Sequence, residues 1–218
     1  YLSDSLNAPY GEKSKEEIIA LCKKNTEFLL KKNCKLIVVA CNTATTNAIT
    51  ILRNMYEIPF IGIEPAIKPA ALITKTKKIG ILATKGTLTS TLFEATSSAV
   101  GKDIQISETI GKGLVELIEA GKLNSKEMTS LLSFYLKPMV ASNIDSLVLG
   151  CTHYPYLIPQ ISAILGSKIK IIDSGEAVAK QTKTILTNHN LLNNNDFHSS
   201  KHTLYTNKEK SVLEKLLT

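Results

Sequence analysis

Two thiols stand in matching surroundings in this chain. Cys41 closes the apolar run of KLIVVACNT, and 110 positions later Cys151 closes the apolar run of DSLVLGCTH. Each follows a small residue, Ala40 or Gly150, and precedes two hydrogen-bonding residues, Asn42 and Thr43 or Thr152 and His153. A free cysteine is most often a small buried hydrophobe, and that reading suits Cys22, on the apolar face of a helical segment, and Cys34, beside a strand start. It suits Cys41 and Cys151 less well, because polar side chains lined up at a buried strand end need partners, which a ligand would supply. Two thiols facing each other across a cleft make a two-base pair. One takes a proton from one face of a carbon while the other delivers a proton to the opposite face. A thiol with a reference pKa of about 8.5 can serve in both roles. His153 is placed to stabilise a Cys151 thiolate or to relay its proton. A disulfide between the two thiols is the weaker alternative in a reducing compartment, and one His is too few for zinc.

Other residues converge less sharply. Pro9, Tyr10 and Gly11 form a turn before a helix, where free backbone N–H groups favour a carboxylate, although an ordinary turn reads the same way. Thr84 and Thr87 follow the strand-like KKIGIL and offer hydroxyls to a second carboxylate, with helix N-capping as the alternative. Glu119 in LVELIEAG reads by default as a solvated helix residue. Arg53 is the one arginine, so an anionic substrate would be held mainly by amides, hydroxyls and Asn42.

These groups require a scaffold of alternating strands and helices. SKEEIIALCKKNTEFLLKKN carries an amphipathic pattern, with Ser14 as N-cap and Glu17 three residues on. CKLIVVAC follows as a continuous β-branched run, suited to a parallel strand buried on both faces. PFIGIEP, KKIGILAT, IQISETI, DSLVLGC and KIKIIDS read as further strands. TTNAITILRNMY, TSTLFEATSSAVG, KGLVELIEAGK, SKEMTSLLSFYLKPMVAS and GEAVAKQTKTILTNH read as helices. The alternation predicts an α/β fold with parallel sheets, and ligands in such sheets bind beyond the carboxyl ends of strands, where both thiols fall. A boundary is expected near EPAIKPA, where Pro65 and Pro69 punctuate the passage between strands. Residues 189–202 read as an Asn-rich connector before strand-like HTLYT and helix-like KEKSVLEKLL.

The 218 residues suit one large or two small α/β units, and 44% hydrophobic with 21% charged residues is globular composition. No apolar stretch approaches the roughly 20 residues that span a bilayer, so no membrane partner is expected. The net charge of +7 comes from scattered lysines. A solvated basic surface therefore explains it better than a nucleic-acid interface. Four cysteines without a CxxC pattern, and no signal peptide, point to reduced thiols in the cytoplasm. The chain opens on Tyr1 rather than Met, in a turn-like SDSLNAPYG, which suggests a preceding piece.

PYGEKS, VVACNTATTNAI, IGIEPAIKPA, LVLGCTHYPYL and IIDSGEAVA, in this order, resemble the glutamate racemase family of the cofactor-independent aspartate/glutamate racemase superfamily. The resemblance covers most of the chain and thins after about residue 188. It implies two flavodoxin-like parallel-sheet lobes related by pseudo-twofold symmetry, with glutamate enclosed between them. The first lobe would combine residues 1–66 with 176–218, and the second would span 67–175. It further implies interconversion of L- and D-glutamate without pyridoxal phosphate or another cofactor, providing D-glutamate for bacterial peptidoglycan. Cys41 and Cys151 match the two acid/base thiols, and His153 the assistant of Cys151. Pro9, Tyr10, Gly11, Asn42, Thr43, Thr84, Thr87 and Thr152 match substrate contacts. Glu119 matches an acidic residue that supports the second thiol, although the Cys-Pro that often precedes that segment is absent from IGKGLVELIE. A homodimer is left open. Members of the family begin with a strand ending in Asp-Ser-Gly, which this chain lacks. Its loss is expected to weaken the first lobe and the chemistry at Cys41. Aspartate racemase or a related two-cysteine isomerase is the alternative within enzymes, and a non-catalytic amino-acid-binding protein the alternative outside them.

Overall fold

The computed structural model describes residues 1–193 and 201–217; residues 194–200 of the expected connector lie outside them. Short strand β1 (Leu2–Ser3) leads through two single 3-10 turns (Ser5–Asn7 and Tyr10–Glu12) to α1 (Lys15–Leu30). The predicted capping box is present. The Ser14 hydroxyl accepts from the Glu17 amide, and the Glu17 carboxylate accepts from the Ser14 amide. Then follow β2 (Ile37–Val39), α2 (Asn42–Met55), β3 (Phe60–Gly62), α3 (Ile67–Ile73), β4 (Lys78–Ala83), α4 (Lys85–Leu88), α5 (Thr91–Ser98) and β5 (Gln105–Ile110). The chain continues with α6 (Leu114–Glu119), α7 (Lys126–Ala141), β6 (Ser146–Gly150), a 3-10 turn (Tyr154–Leu157), α8 (Ile158–Leu165), β7 (Lys170–Ile172), α9 (Gly175–Asn188), β8 (Tyr205–Thr206) and α10 (Lys210–Leu217).

Among the described residues all strand pairs are parallel, and they form three sheets: β5-β4-β6-β7, β2-β3 and β1-β8. This is the α/β class with parallel sheets. The four-stranded sheet holds the larger core. β6 lies between β4 and β7 and is buried along its whole length, and Leu132 and Leu136 of α7 are fully buried in the cluster that includes Leu147 and Leu149. A second core gathers Ile18 and Cys22 of α1 with Ile37, Ala48, Ile49, Leu52 and Phe60.

Two expectations need correction. β2 is not buried on both faces: Ile37 is buried, but Val38 and Val39 are half-buried and Ala40 is exposed. Among the described residues β2 pairs on one edge only, with β3, whereas β6 is paired on both edges by β4 and β7. The expected elements also omit a helix that begins in the EPAIKPA passage, Ile67–Ile73. Pro69 is the third residue of that helix, where its missing N–H would have no intrahelical acceptor.

Behind Cys41 the ends of β2 and β3 are held by one threonine. Thr45 donates its hydroxyl to the Val39 carbonyl at 3.0 Å and accepts from the Ile63 amide at 3.0 Å. A Cβ on Gly62 would lie 2.4 Å from the Thr45 methyl. Gly62→Ala should therefore displace Thr45 and destabilise the protein by about 1–3 kcal/mol, read as a lowered midpoint in thermal unfolding followed by circular dichroism.

Candidate functional site

The two thiols occupy equivalent positions on different sheets. Cys41 is the N-cap of α2 in extended conformation, and its Sγ accepts from the Ala44 amide at 3.5 Å. The Thr43 amide and hydroxyl also favour its thiolate. Cys151 follows β6 directly, and the amides of His153 and Tyr154 favour its thiolate in the same way. In both places the sulfur faces the amides two and three residues on, because a chain turning from strand into helix leaves its first N–H groups without intrahelical acceptors. Burial outweighs these amides. It raises the Cys41 thiol above its ordinary range and, with a smaller contribution from charge on Cys41, pushes the Cys151 thiol up to about 12. Both thiols are therefore protonated at neutral pH.

The thiols differ in what stands beside them. His153 Nδ1 lies 4.0 Å from the Cys151 sulfur, while Nε2 lies 2.8 Å from Glu119 Oε1 at the end of α6. That hydrogen bond is the main cause that lowers the Glu119 pKa, against a contrary pull from burial. A carboxylate at Nε2 favours the tautomer with the proton there, leaving Nδ1 free to accept from the thiol. Glu119 is thus not a solvated helix residue. The Ser5 side chain also favours its charged form, as does Lys208. Gly113 (φ +85°) and Gly121 (φ +71°) adopt the left-handed conformation on either side of α6, which keeps that helix to a short piece ending at Glu119.

Around the thiols lies a polar lining. Asn42 is 2% exposed, and its Nδ2 has no hydrogen-bond partner. An orphaned buried donor beside Cys41 is what a bound acceptor would satisfy. Thr43 Oγ1 lies 2.7 Å from Thr84 Oγ1 and 3.2 Å from Thr87 Oγ1, and those two are 3.0 Å apart, which closes a buried triangle of hydroxyls. Thr84 stands at the N-cap of α4, yet its side chain makes no capping bond. The capping alternative is set aside. Thr152 is half-buried beside Cys151.

The turn of Pro9, Tyr10 and Gly11 meets this lining from the other side. A Cβ on Gly11 would lie 2.6 Å from Thr84 Cβ, so the backbone itself abuts the threonine. Tyr10 donates its hydroxyl to the Asp4 carboxylate, and burial and Asp4 hold its proton well above the usual tyrosine range. The phenol therefore anchors the turn through Asp4. Asn7 and Asn25 donate to the same carboxylate at 2.6 and 3.0 Å. Sequence inspection passed over Asp4, since its partners range from Asn7, three positions on, to Asn25 on α1 and Asn207, 203 positions on, and no single local pattern joins them. Among the described residues no three His, Cys, Asp or Glu side chains gather as a metal site would require, and no helix is long and apolar enough to cross a membrane.

With both thiols protonated at rest, any reaction that starts from a thiolate should gain from alkali. The turnover efficiency kcat/KM should rise by up to about tenfold per pH unit from pH 6 to 8.5, as read from initial rates in a series of buffers. Stability should move the other way. A thiol raised in the fold holds its proton more tightly than in the unfolded chain, so its contribution is complete below about pH 8.5 and is lost as pH climbs toward 12.

Residues 2–182 match the family described as Asp/Glu/Hydantoin racemase. A glutamate racemase of Herpetosiphon aurantiacus is 44% identical over 193 residues, covering 88% of this chain and 76% of the relative. One of Stutzerimonas stutzeri is 44% identical over 197 residues, covering 90% and 75%. Among solved structures, glutamate racemase isoform RacE1 of Bacillus anthracis superposes with a TM-score of 0.87 at 33% identity, covering 99% of this chain and 81% of that one. The Escherichia coli glutamate racemase in complex with L-glutamate and the activator UDP-MurNAc-ala gives 0.85 at 31% identity, covering 100% and 82%.

Proposed function

Because the chain belongs to the Asp/Glu/Hydantoin racemase family, we propose that it interconverts L- and D-glutamate by passing protons through Cys41 and Cys151. It is an amino-acid racemase, an isomerase, and its relatives are glutamate racemases. The observation that carries the two-thiol assignment is the matched placement of the sulfurs, each at a strand's carboxyl end against the amides two and three residues on. A single base would need only one such cradle.

Glutamate lies between the two sulfurs in this proposal. Ionisation of one thiol gives the thiolate that removes the α-proton. The electron pair left on the α-carbon is delocalised into the α-carboxylate, and hydrogen-bond donors stabilise the charge developing there. The buried Asn42 side-chain amide, whose Nδ2 has no other partner, supports assigning it that task. The opposite thiol gives its proton to the other face. The configuration is inverted, and each sulfur ends in the protonation state its partner began with. When Cys151 is the base, His153 Nδ1 takes up its proton and Glu119 supports the imidazolium. The hydroxyls of Thr43, Thr84, Thr87 and Thr152 and the backbone at Pro9, Tyr10 and Gly11 hold the two carboxylates.

Two units are proposed to enclose the substrate, residues 1–66 with 176–218 and residues 67–175. Support comes from the single sheet that joins β4 to β7 and from the pairing of β1 with β8 across most of the chain. A cytoplasmic location and a role in supplying D-glutamate for peptidoglycan belong to the same proposal, and a homodimer is its open assembly form. Incubation with L-glutamate and no added cofactor, followed by polarimetry, should show loss of optical rotation, and D-glutamate should give the mirror-image course. Loss of rotation with aspartate but not glutamate would overturn the substrate assignment.

A further inference from the structure

We propose that Asn47 is a positioning residue, whose side-chain amide ties the helix bearing Cys41 to the loop that supplies the threonine hydroxyls. It rests on the racemase assignment above, because the effect is read through glutamate turnover. Asn47 lies on α2, one turn beyond Thr43. Its Nδ2 donates to the Thr43 carbonyl at 2.9 Å and to the Gly86 carbonyl at 3.0 Å. Both partners are backbone carbonyls, which only accept, so the nitrogen must face them. Gly86 lies between Thr84 and Thr87 in α4, which follows β4 of the sheet that also carries Cys151. The amide therefore joins the two sheets at the point where their hydroxyls meet.

The junction leaves no slack. A Cβ on Gly86 would lie 2.8 Å from the Thr43 methyl and 3.2 Å from the Gly11 carbonyl oxygen, so three site-bearing segments touch there. The Thr43 hydroxyl also joins α2 to α4 through Thr84 and Thr87, but these rotatable hydroxyls are the groups a bound carboxylate would engage, and they do not fix the spacing by themselves. Two directed hydrogen bonds from one short side chain fix both distance and register. Without them Thr84 and Thr87 keep their hydroxyls but lose their alignment with Thr43. The consequence falls on holding the substrate rather than on the thiols.

The test compares Asn47→Leu, of similar bulk without donors, and Asn47→Asp, of the same shape without donors, in wild-type and Thr87→Val backgrounds. Each single variant should raise KM for glutamate about tenfold, as expected for loss of the hydrogen bond to the Gly86 carbonyl that ties α4 to α2, with kcat within about threefold of wild type. In the Thr87→Val background the same change should raise KM by less than about threefold, because coupled residues are not additive. An unchanged KM in both single variants, or a full tenfold increment on top of Thr87→Val, overturns the role of Asn47 while leaving the racemase assignment intact. A wild-type protein that racemises no glutamate overturns that assignment, and this inference falls with it.

Discussion

Cys41→Ala and Cys151→Ala should each reduce glutamate racemisation by a factor of about 10³ or more, since each removes one of two acid/base groups worth about 10²–10⁴ apiece. Both variants should fold. Cys151 is 8% exposed and Cys41 partly exposed, and loss of one sulfur leaves a small void. The two should not be equivalent in what remains. With Cys151 gone, the Cys41 thiolate can still lift the α-proton from one enantiomer, but no thiol stands opposite to complete the inversion. Slow exchange of that enantiomer's α-proton with solvent should persist, and the other enantiomer should be inert. Cys41→Ala should show the reverse preference. Chiral chromatography of the products and proton NMR of recovered substrate measure both effects. Full racemisation by either variant would rule out the two-thiol mechanism.

His153→Asn and Glu119→Gln should lower kcat/KM by about 10²-fold, the lower range for a group that assists proton transfer. The Glu119 carboxylate at 2.8 Å keeps the proton on Nε2, and Nδ1 faces the thiol at 4.0 Å. A Gln amide that turns its NH₂ toward Nε2 favours the opposite tautomer, placing a proton where an acceptor is needed. L- and D-glutamate have equal free energy, so kcat/KM must fall equally in the two directions whichever side is damaged. The damaged side appears in the isotope effect instead. Removal of the α-proton by Cys151 becomes the slow step. Substitution of α-deuterium should then slow the enantiomer that Cys151 deprotonates more than in wild type, and slow the other enantiomer less. Equal isotope effects on both enantiomers would mean that His153 and Glu119 serve the fold rather than Cys151.

Local chemistry made some of this architecture readable beforehand. Ser14 and Glu17 announce α1 because both capping partners lie within one turn. Both thiols were placed at strand ends from the apolar runs that precede them. α8 was missed although Pro159 sits at its start, where proline is tolerated. α3 was missed because Pro69 reads as a break until its place in the first turn is known. The exposure of Ala40 and half-burial of Val39 depend on what flanks β2, which a β-branched run does not reveal. Site residues follow the same division. His153 was legible two positions from Cys151, whereas Glu119 was tied to the second thiol through family resemblance alone, and its bond to His153, 34 residues away, has no sequence signal. Asp4 and Asn47 act through partners 21 and 39 positions away and leave no local pattern.

The central claim is that two thiols act from opposite faces, and early-conversion racemisation of L-glutamate in D₂O by the unmodified protein tests it most directly. The D-glutamate formed should carry deuterium at the α-carbon, delivered from a thiol equilibrated with solvent, while the remaining L-glutamate keeps its protium. Deuterium appearing equally in both enantiomers at early times, or D-glutamate that retains the original proton, would mean that one group both removes and returns it and would contradict the two-thiol account.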